Sequence, residues 1–227
     1  MEICLASEGC GKSSEIIGAA NIPVRTNRSF SYRYKMNYFE SSVRVPLLVS
    51  YPKWFEPRRV SENVSTLDIL PTMCDLVGTK PLATLPMDGT SLYPHLEGQK
   101  GHDEAIAEYT GEGTISPLMM IRRGKWKYIT CPSDGSQLYN METDPLELHD
   151  LAKTVTKLAG LSSSTVHEEA KSVFDEFEKE AKDRWDFNQI TEEVLASQRK
   201  RRLVWSALRK GQFTSWDYNP QDDGREK

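Results

Sequence analysis

Short, sharply bounded hydrophobic patterns succeed one another along this chain, and their spacing changes three times. Residues 44–52, RVPLLVSYP, are an almost continuous apolar run ended by a proline, the pattern of a strand buried on both faces. Residues 65–78, STLDILPTMCDLVG, instead place Leu67, Leu70, Met73, Leu76 and Val77 at helical spacing. Ser65 or Thr66 is the expected N-cap and Gly78 the C-cap, and Pro71 falls in the first turns, where a missing N–H costs least. EAIAEY, residues 104–109, reads as a short strand. LMMIRRGKWKYIT, residues 118–130, alternates around RRGK and predicts a β-hairpin with Gly124 in its turn.

From Thr165 the period becomes purely helical. TVHE forms a capping box between Thr165 and Glu168, and Val166, Ala170, Val173, Phe174, Phe177 and Ala181 mark one helical face. A second helix is predicted over about 191–209, burying Val194, Leu195, Leu203, Ala207 and Leu208. The last residues, KGQFTSWDYNPQDDGREK, have no period and predict an extended arm. The pattern therefore describes a mixed α/β segment, two long helices and a tail, with no repeat and no low-complexity tract.

Composition changes this picture little. A length of 227 residues is enough for a sizeable core. A net charge of −4, with 27% charged residues, gives no overall attraction for nucleic acid. Cys4, Cys10, Cys74 and Cys131 lie far apart without C-x-x-C spacing, which speaks against a zinc site or a disulfide framework and fits a reducing compartment. No apolar run approaches the ~20 residues of a membrane span, and no secretory signal is visible. These facts fit a soluble cytoplasmic protein, in which the sequons at Asn27 and Asn63 would go unmodified.

Several stretches carry possible chemistry. ASEGCGKS, residues 6–13, follows the apolar MEICL and mimics a phosphate-binding loop, with Lys12 for the outer phosphates and Ser13 for magnesium. Ala6 stands where the first glycine belongs, and the following helix would stop by about Ala20, so a chance match is favoured. CPSDG at Cys131 is ordinary turn chemistry rather than a nucleophile site. QRKRR, residues 198–202, reads as a solvated helix face because no aromatic residue interleaves it for base stacking. His95, His102, His149 and His167 are scattered, with no pair at metal-ligand spacing. EYTGEG, from Glu108 to Gly113, places two acids after a strand, where a solvated turn competes with a site. SWDY sets Asp217 between aromatic rings, including Trp216; a cation site and an aromatic anchor for the tail are equally good readings.

From residue 34 onward the order of motifs resembles the C-terminal half of a type I sulfatase of the alkaline-phosphatase superfamily. The motifs are YKMNYFESSVRVPLLVSYP, VSTLDILPTMCDLVG, DGTSLYPHL, IRRGKWKYI and QLYNMETDPLELHDLA. The final block, EEVLASQRKRRLVWSALRKGQFTSWDYNP, is similar to the C-terminal domain of choline sulfatases. The resemblance implies an α/β fold, the C-terminal portion of a sulfatase with a small antiparallel subdomain and a helical extension. It divides the chain into an unrelated, poorly ordered leader at 1–33, sulfatase domain at 34–160 and the choline-sulfatase helical region at 161–227.

By the same resemblance the activity is hydrolysis of choline O-sulfate. Lys35 would contact the sulfate, while Glu112, Trp216 and Asp217 would receive the trimethylammonium group. The family's nucleophile is a formylglycine made within C/S-x-P-x-R, and its cofactor is a divalent metal, calcium or similar, held by carboxylates. No C/S-x-P-x-R occurs in this sequence, and IPVRTNRSFSYR stands where the acidic, glycine-rich metal segment is expected. The expectation is a truncated, inactive portion without a catalytic nucleophile or metal ligands of its own, joined in a homo-oligomer through the C-terminal tail. Two other readings stay open: a nucleotide-binding protein using Lys12 and Ser13, and a non-catalytic partner of a full-length sulfatase.

Overall fold

The computed structural model describes residues 2–5, 37–80, 86–111, 116–157 and 165–211. The chain divides into two compact units, residues 1–184 and 185–227. The first is mixed α/β, with two sheets, and its helices and strands follow the order implied by the apolar pattern.

The first sheet has three strands: β1 (Glu2–Leu5), β2 (Pro46–Val49) and β3 (Arg59–Val60), in the order β2-β1-β3. β1 is parallel to β2 and antiparallel to β3, so the N-terminal apolar stretch MEICL supplies the central strand. β2 lies within the run expected to be buried on both faces. The structure corrects that expectation: Pro46 and Leu48 are exposed, Leu47 and Val49 half-buried. Only one face of the strand meets packing, where Leu47 and Val49 join Phe55, Val60, Val64, Leu92 and Leu96 in an apolar core.

Before α2 (Ile69–Leu76), a 3-10 turn at Thr66–Asp68 starts the helix region; Ser65 caps that turn, its hydroxyl accepting from the Leu67 N–H. In return the Asp68 carboxylate accepts from the Ser65 N–H, a reciprocal pair that fixes the entry of the chain. The helix ends at Gly78, whose φ of +66° is left-handed and favours glycine. Its apolar stripe is where sequence and structure diverge. Leu67, Leu70, Met73 and Val77 are all exposed, and only Leu76 of that stripe reaches the core. Pro71 and Thr72, on the other side, are the buried positions.

After α3 (Tyr93–Glu97) comes the second sheet, a meander of β4 (Glu104–Tyr109), β5 (Leu118–Arg123), β6 (Trp126–Cys131) and β7 (Gly135–Asn140) in sequential antiparallel order. The predicted hairpin is β5–β6, and Gly124 turns it at φ +51°. α4 (Leu151–Lys157) follows β7, and α5 (Thr165–Arg184) then lies on one face of this sheet. The Tyr128 ring stacks on Phe177 at 5.8 Å and meets Phe174 edge-on at 5.9 Å. Ala170, Phe174, Phe177 and Ala181 are buried, as the helical period predicts, with Val173 half-buried. Arg123 reaches from β5 to Glu104 and Glu180, tying the helix to the sheet's edge. The side chains of Thr165 and Val166 lie outside the described residues. On the opposite face Tyr38, Met120, Ile129 and Tyr139 form a second core with Phe39 and Val43. Every residue of β6 is buried, because both sides of its pleat are covered.

The second unit contains α6 (Phe187–Leu208), which begins four residues earlier than the expected Thr191 because the Asp186 carboxylate accepts from the Asn188 and Gln189 N–H groups at 3.0 Å. The expected burial of Val194, Leu195, Leu203, Ala207 and Leu208 is corrected: α6 has no buried residue, and Leu203 is 73% exposed. Amphipathic spacing marks a face able to pack and does not supply its partner. QRKRR lies on this helix with all five residues exposed, as a solvated face requires. No helix among the described residues is long and apolar enough to cross a membrane.

Candidate functional site

Lys35, Glu112, Trp216 and Asp217, the four residues singled out for substrate, lie outside the described residues, as do Lys12 and Ser13 of the phosphate-loop mimic. What the structure describes is the frame beside two of them: Asn37–Val43, just after Lys35, and β4 with Gly111, just before Glu112.

The segment after Lys35 is held from below by a buried charge network. β6 alternates, so Lys127 points to the same side as Ile129, toward α1 (Glu40–Val43), and is 0% exposed. Its ammonium lies 2.9 Å from a Glu40 carboxylate oxygen and 2.7 Å from one of Glu147. The other Glu147 oxygen accepts from the Glu40 N–H at 2.7 Å. One lysine thus ties the start of α1 to the loop after β7. Glu147 adopts φ +56°, a left-handed conformation that costs a non-glycine residue of order 1 kcal/mol, and this network over-determines it.

The two acids respond in opposite directions. Burial works to raise the Glu40 carboxyl, but Lys127, with Arg122 and Arg44 behind it, holds it below the ordinary value. Burial dominates at Glu147 and pushes its carboxyl up against the pull of Lys127. Tyr38, two residues before Glu40, is raised by burial and then by the charge of Glu108. Its hydroxyl stays a neutral phenol at any physiological pH.

Above this network a cleft of about 1150 Å³ opens between the two sheets. Glu40 and Arg44 line it from the α1 side, Arg59 from β3, Glu104 and Glu108 from β4 and Arg122 from β5. Charges of both signs therefore face one solvent-accessible space. Burial lowers the Arg122 pKa, although Glu40 and Asp103 favour its charge. Arg122 also donates to the carbonyls of Gly124 and Trp126, which fixes its direction across the hairpin.

At the cleft's wall Asp68 is buried and gathers donors: Ser65 N–H at 2.6 Å, Thr90 N–H at 2.8 Å and His102 Nε2 at 3.0 Å. The His102 and His95 rings meet edge-on at 5.3 Å. The four histidines, scattered in sequence, are not all apart in the fold: His95 is buried and His102 is paired with an acid 34 residues away. That meeting is set by tertiary folding, and no spacing in the sequence announces it. His149 is exposed beside Asp144, and the side chain of His167 lies outside the described residues. Cys131 is buried at the end of β6 with its sulfur 3.2 Å from the Ser133 hydroxyl, consistent with its turn role. Asn63 spends its side-chain amide on Asp103 and the Gly124 carbonyl, so the sequon nitrogen is engaged in the fold.

No group of three His, Cys, Asp or Glu side chains placed to hold a metal ion occurs among the described residues. The described donors therefore do not fit the divalent metal expected from the resemblance.

Comparison with known proteins defines the class. Residues 29–185 match the family described as N-sulphoglucosamine sulphohydrolase, C-terminal, which is more than half of the chain, and this protein belongs to that sulfatase family. Residues 192–227 match a second family, choline sulfatase enzyme C terminal. The choline-sulfatase of Rhizobium meliloti is 34% identical over 195 residues, covering 86% of this chain and 36% of that protein. Arylsulfatase K of Gallus gallus is 37% identical over 152 residues, covering 59% of this chain and 28% of that protein. The solved structure of a 2-O GAG sulfatase is 33% identical and covers 52% of this chain and 25% of its own, with a TM-score of 0.38. The chain thus spans about a third of the length of the curated relatives it matches.

Proposed function

We propose that this chain contributes the C-terminal, choline-recognising part of a sulfuric ester hydrolase that converts choline O-sulfate and water to choline and sulfate. The observation that carries this reading is the match of residues 192–227 to the choline sulfatase C-terminal family, because that block contains Trp216 and Asp217. The chemistry of the residues suits the substrate. A trimethylammonium has no N–H to donate, so it is bound by charge and ring contact, which Glu112, Asp217 and Trp216 can supply. Breaking the S–O ester bond builds negative charge on oxygen, and the Lys35 ammonium would offset it. The Glu40–Lys127–Glu147 network anchors the segment that follows Lys35, and so would steady that lysine's approach. The sequence carries no C/S-x-P-x-R motif, so the nucleophile would come from polypeptide outside these 227 residues. In the same reading the tail joins copies of the enzyme into a homo-oligomer.

The test joins this chain to the part of the Rhizobium meliloti choline-sulfatase that precedes the matched region. In that chimaera Asp217→Asn raises KM for choline O-sulfate about tenfold, the worth of one partly desolvated charge and ring contact, and leaves an uncharged aryl sulfate nearly unaffected. Lys35→Ala slows both substrates. Equal losses on both substrates for Asp217→Asn would remove the choline assignment. Metal-dependent turnover by the unmodified chain alone would show that its catalytic groups are all within it, contrary to this reading.

A further inference from the structure

The second unit concentrates charge in a way that the whole chain does not. Between Val194 and Gly211 stand Arg199, Lys200, Arg201, Arg202, Arg209 and Lys210 without a single acid, in a protein whose net charge is −4. This stretch is α6 and the turn that follows it, and α6 buries none of its residues. In sequence no aromatic residue interleaves QRKRR, but the helix supplies one. Trp205 lies three residues after Arg202 and four after Arg201, so the three share one helix face. With Gln198 they line a shallow depression of about 320 Å³, in which Trp205 is 44% exposed. One turn further on, the Arg209 guanidinium lies over the Trp205 ring, 4.8 Å from its centre. A flat aromatic surface therefore stands with cations on both sides along the helix.

We propose that this face of α6, from Gln198 to Arg209, binds single-stranded RNA. Arg201, Arg202 and Arg209 match the negative charge of the phosphates, and guanidinium groups bind phosphate oxygens in pairs. The Trp205 ring offers an unstacked base a planar partner, a contact that every base can make. The face runs about 16 Å along the helix, the reach of a few nucleotides. Gln198 adds an amide that both donates and accepts, as the 2′-hydroxyl of RNA does. A lipid surface fits less well, because a helix lying on a membrane needs a face clear of charge. At about 100° per residue, Glu193 and Lys200 fall among Leu203, Val204 and Leu208, the apolar side of α6. None of these residues takes part in the choline reading, so the two stand or fall separately.

The experiment titrates the full 227-residue chain into a fluorescein-labelled oligouridylate of about twelve nucleotides, within the span of known single-strand sites, and reads anisotropy. The expected affinity falls roughly tenfold between about 50 and 200 mM salt, the slope that three phosphate contacts give on a single strand. Trp205→Ala should weaken binding about tenfold or more, the worth of one base stacked on a ring, whereas Trp205→Phe should retain most of it. Arg201→Gln with Arg202→Gln should lower the salt slope by about 1.4, two phosphates fewer. Since α6 buries none of its residues, circular dichroism should be unchanged in all these variants, which separates lost binding from lost folding. The deoxy form of the same oligonucleotide should bind more weakly, and Gln198→Ala should remove that difference. No binding at low salt, or equal binding by Trp205→Ala, overturns the proposal. Equal affinity for the deoxy form overturns the assignment to RNA. Displacement of the oligouridylate by heparin or by phosphatidylserine vesicles, with the Trp205→Ala chain displaced as readily as the wild type, makes the face a general anion surface and overturns it too.

Discussion

The four-stranded sheet and the α2–β2 region are made of similar residues and end in opposite states. In β6 Tyr128 faces α5 and Ile129 faces the segment carrying Tyr38, so alternate residues find partners on both sides of the pleat. In β2 the alternation is equally apolar, yet Leu48 faces solvent. Likewise α5 buries the stripe that its period announces, and α2 exposes it. The difference lies in where the cover comes from. β4 to β7, α5 and the segment at 37–43 lie within one compact unit and complete one another, whereas the free faces of α2 and β2 find no layer among the described residues. Hydrophobic pattern marks a face able to pack; whether that face is covered is decided by tertiary folding.

The sharpest break in this comparison is at Lys127, a charge that is 0% exposed in the covered sheet's core. Replacing it by Met keeps volume and removes the cation that serves Glu40 and Glu147 together. Breaking a buried ion pair by deleting one partner costs about 3–5 kcal/mol, because the remaining charge has no counterion. Lys127→Met should therefore lower the urea midpoint strongly, and adding Glu147→Gln should recover part of the loss. A midpoint within error of wild type would show that the network contributes no net stability and that α1 is held by the apolar contacts of Tyr38 and Phe39 alone.

The same network gives a pH dependence of intermediate size, with two opposed contributions. Glu40 has its carboxyl held below the ordinary 4.5 in the folded chain. Between that lowered value and 4.5 the unfolded state binds more protons, so its contribution is present above 4.5 and is lost as the pH falls through the folded value. Glu147 is raised above 4.5 in the folded chain, chiefly by burial. Between 4.5 and its raised value the folded state binds more protons, so stability from this group declines as pH rises through that window. Glu40→Gln should accordingly flatten the acid limb of a stability profile, and Glu147→Gln should remove the decline just above 4.5. Identical profiles for the two variants would contradict the opposed directions.

Local rules made the covered region legible. The hairpin needs only alternation and Gly124 in a left-handed turn, β4 is the six residues EAIAEY, and α5 declares its buried face by period. Lys127 shows the limit of such reading. Alternation places it with Ile129 on an inward face, but its carboxylate partners lie 87 and 20 residues away in sequence, and nothing local names them. The Asp68–His102–His95 grouping escaped for the same reason, since it forms only when α3 and the strand entry fold against the helix cap. Of the substrate residues, Lys35 came from motif order alone, whereas Glu112, Trp216 and Asp217 also stood in stretches whose chemistry left a site and a structural reading both open; all four lie outside the described residues. At α2 the helical spacing was legible, but four of the five apolar residues that carry it, Leu67, Leu70, Met73 and Val77, are exposed, and spacing alone does not say what a face packs against.

The smallest expected effect completes the comparison. A leucine truncated to alanine in a packed core costs about 2–5 kcal/mol, from lost transfer energy and from the cavity that remains. Leu70 would be such a position if period alone decided, since it sits at the centre of the α2 stripe. In the free chain it is 58% exposed, so truncation opens no cavity and returns little surface to water. Alanine is also the stronger helix former, which offsets part of the small loss of contact. Leu70→Ala should therefore shift stability in urea by no more than about 0.5 kcal/mol, the range of ordinary surface substitutions. A loss of several kcal/mol in the chain alone would mean that α2 already packs its stripe in solution, and the contrast between the two regions would disappear.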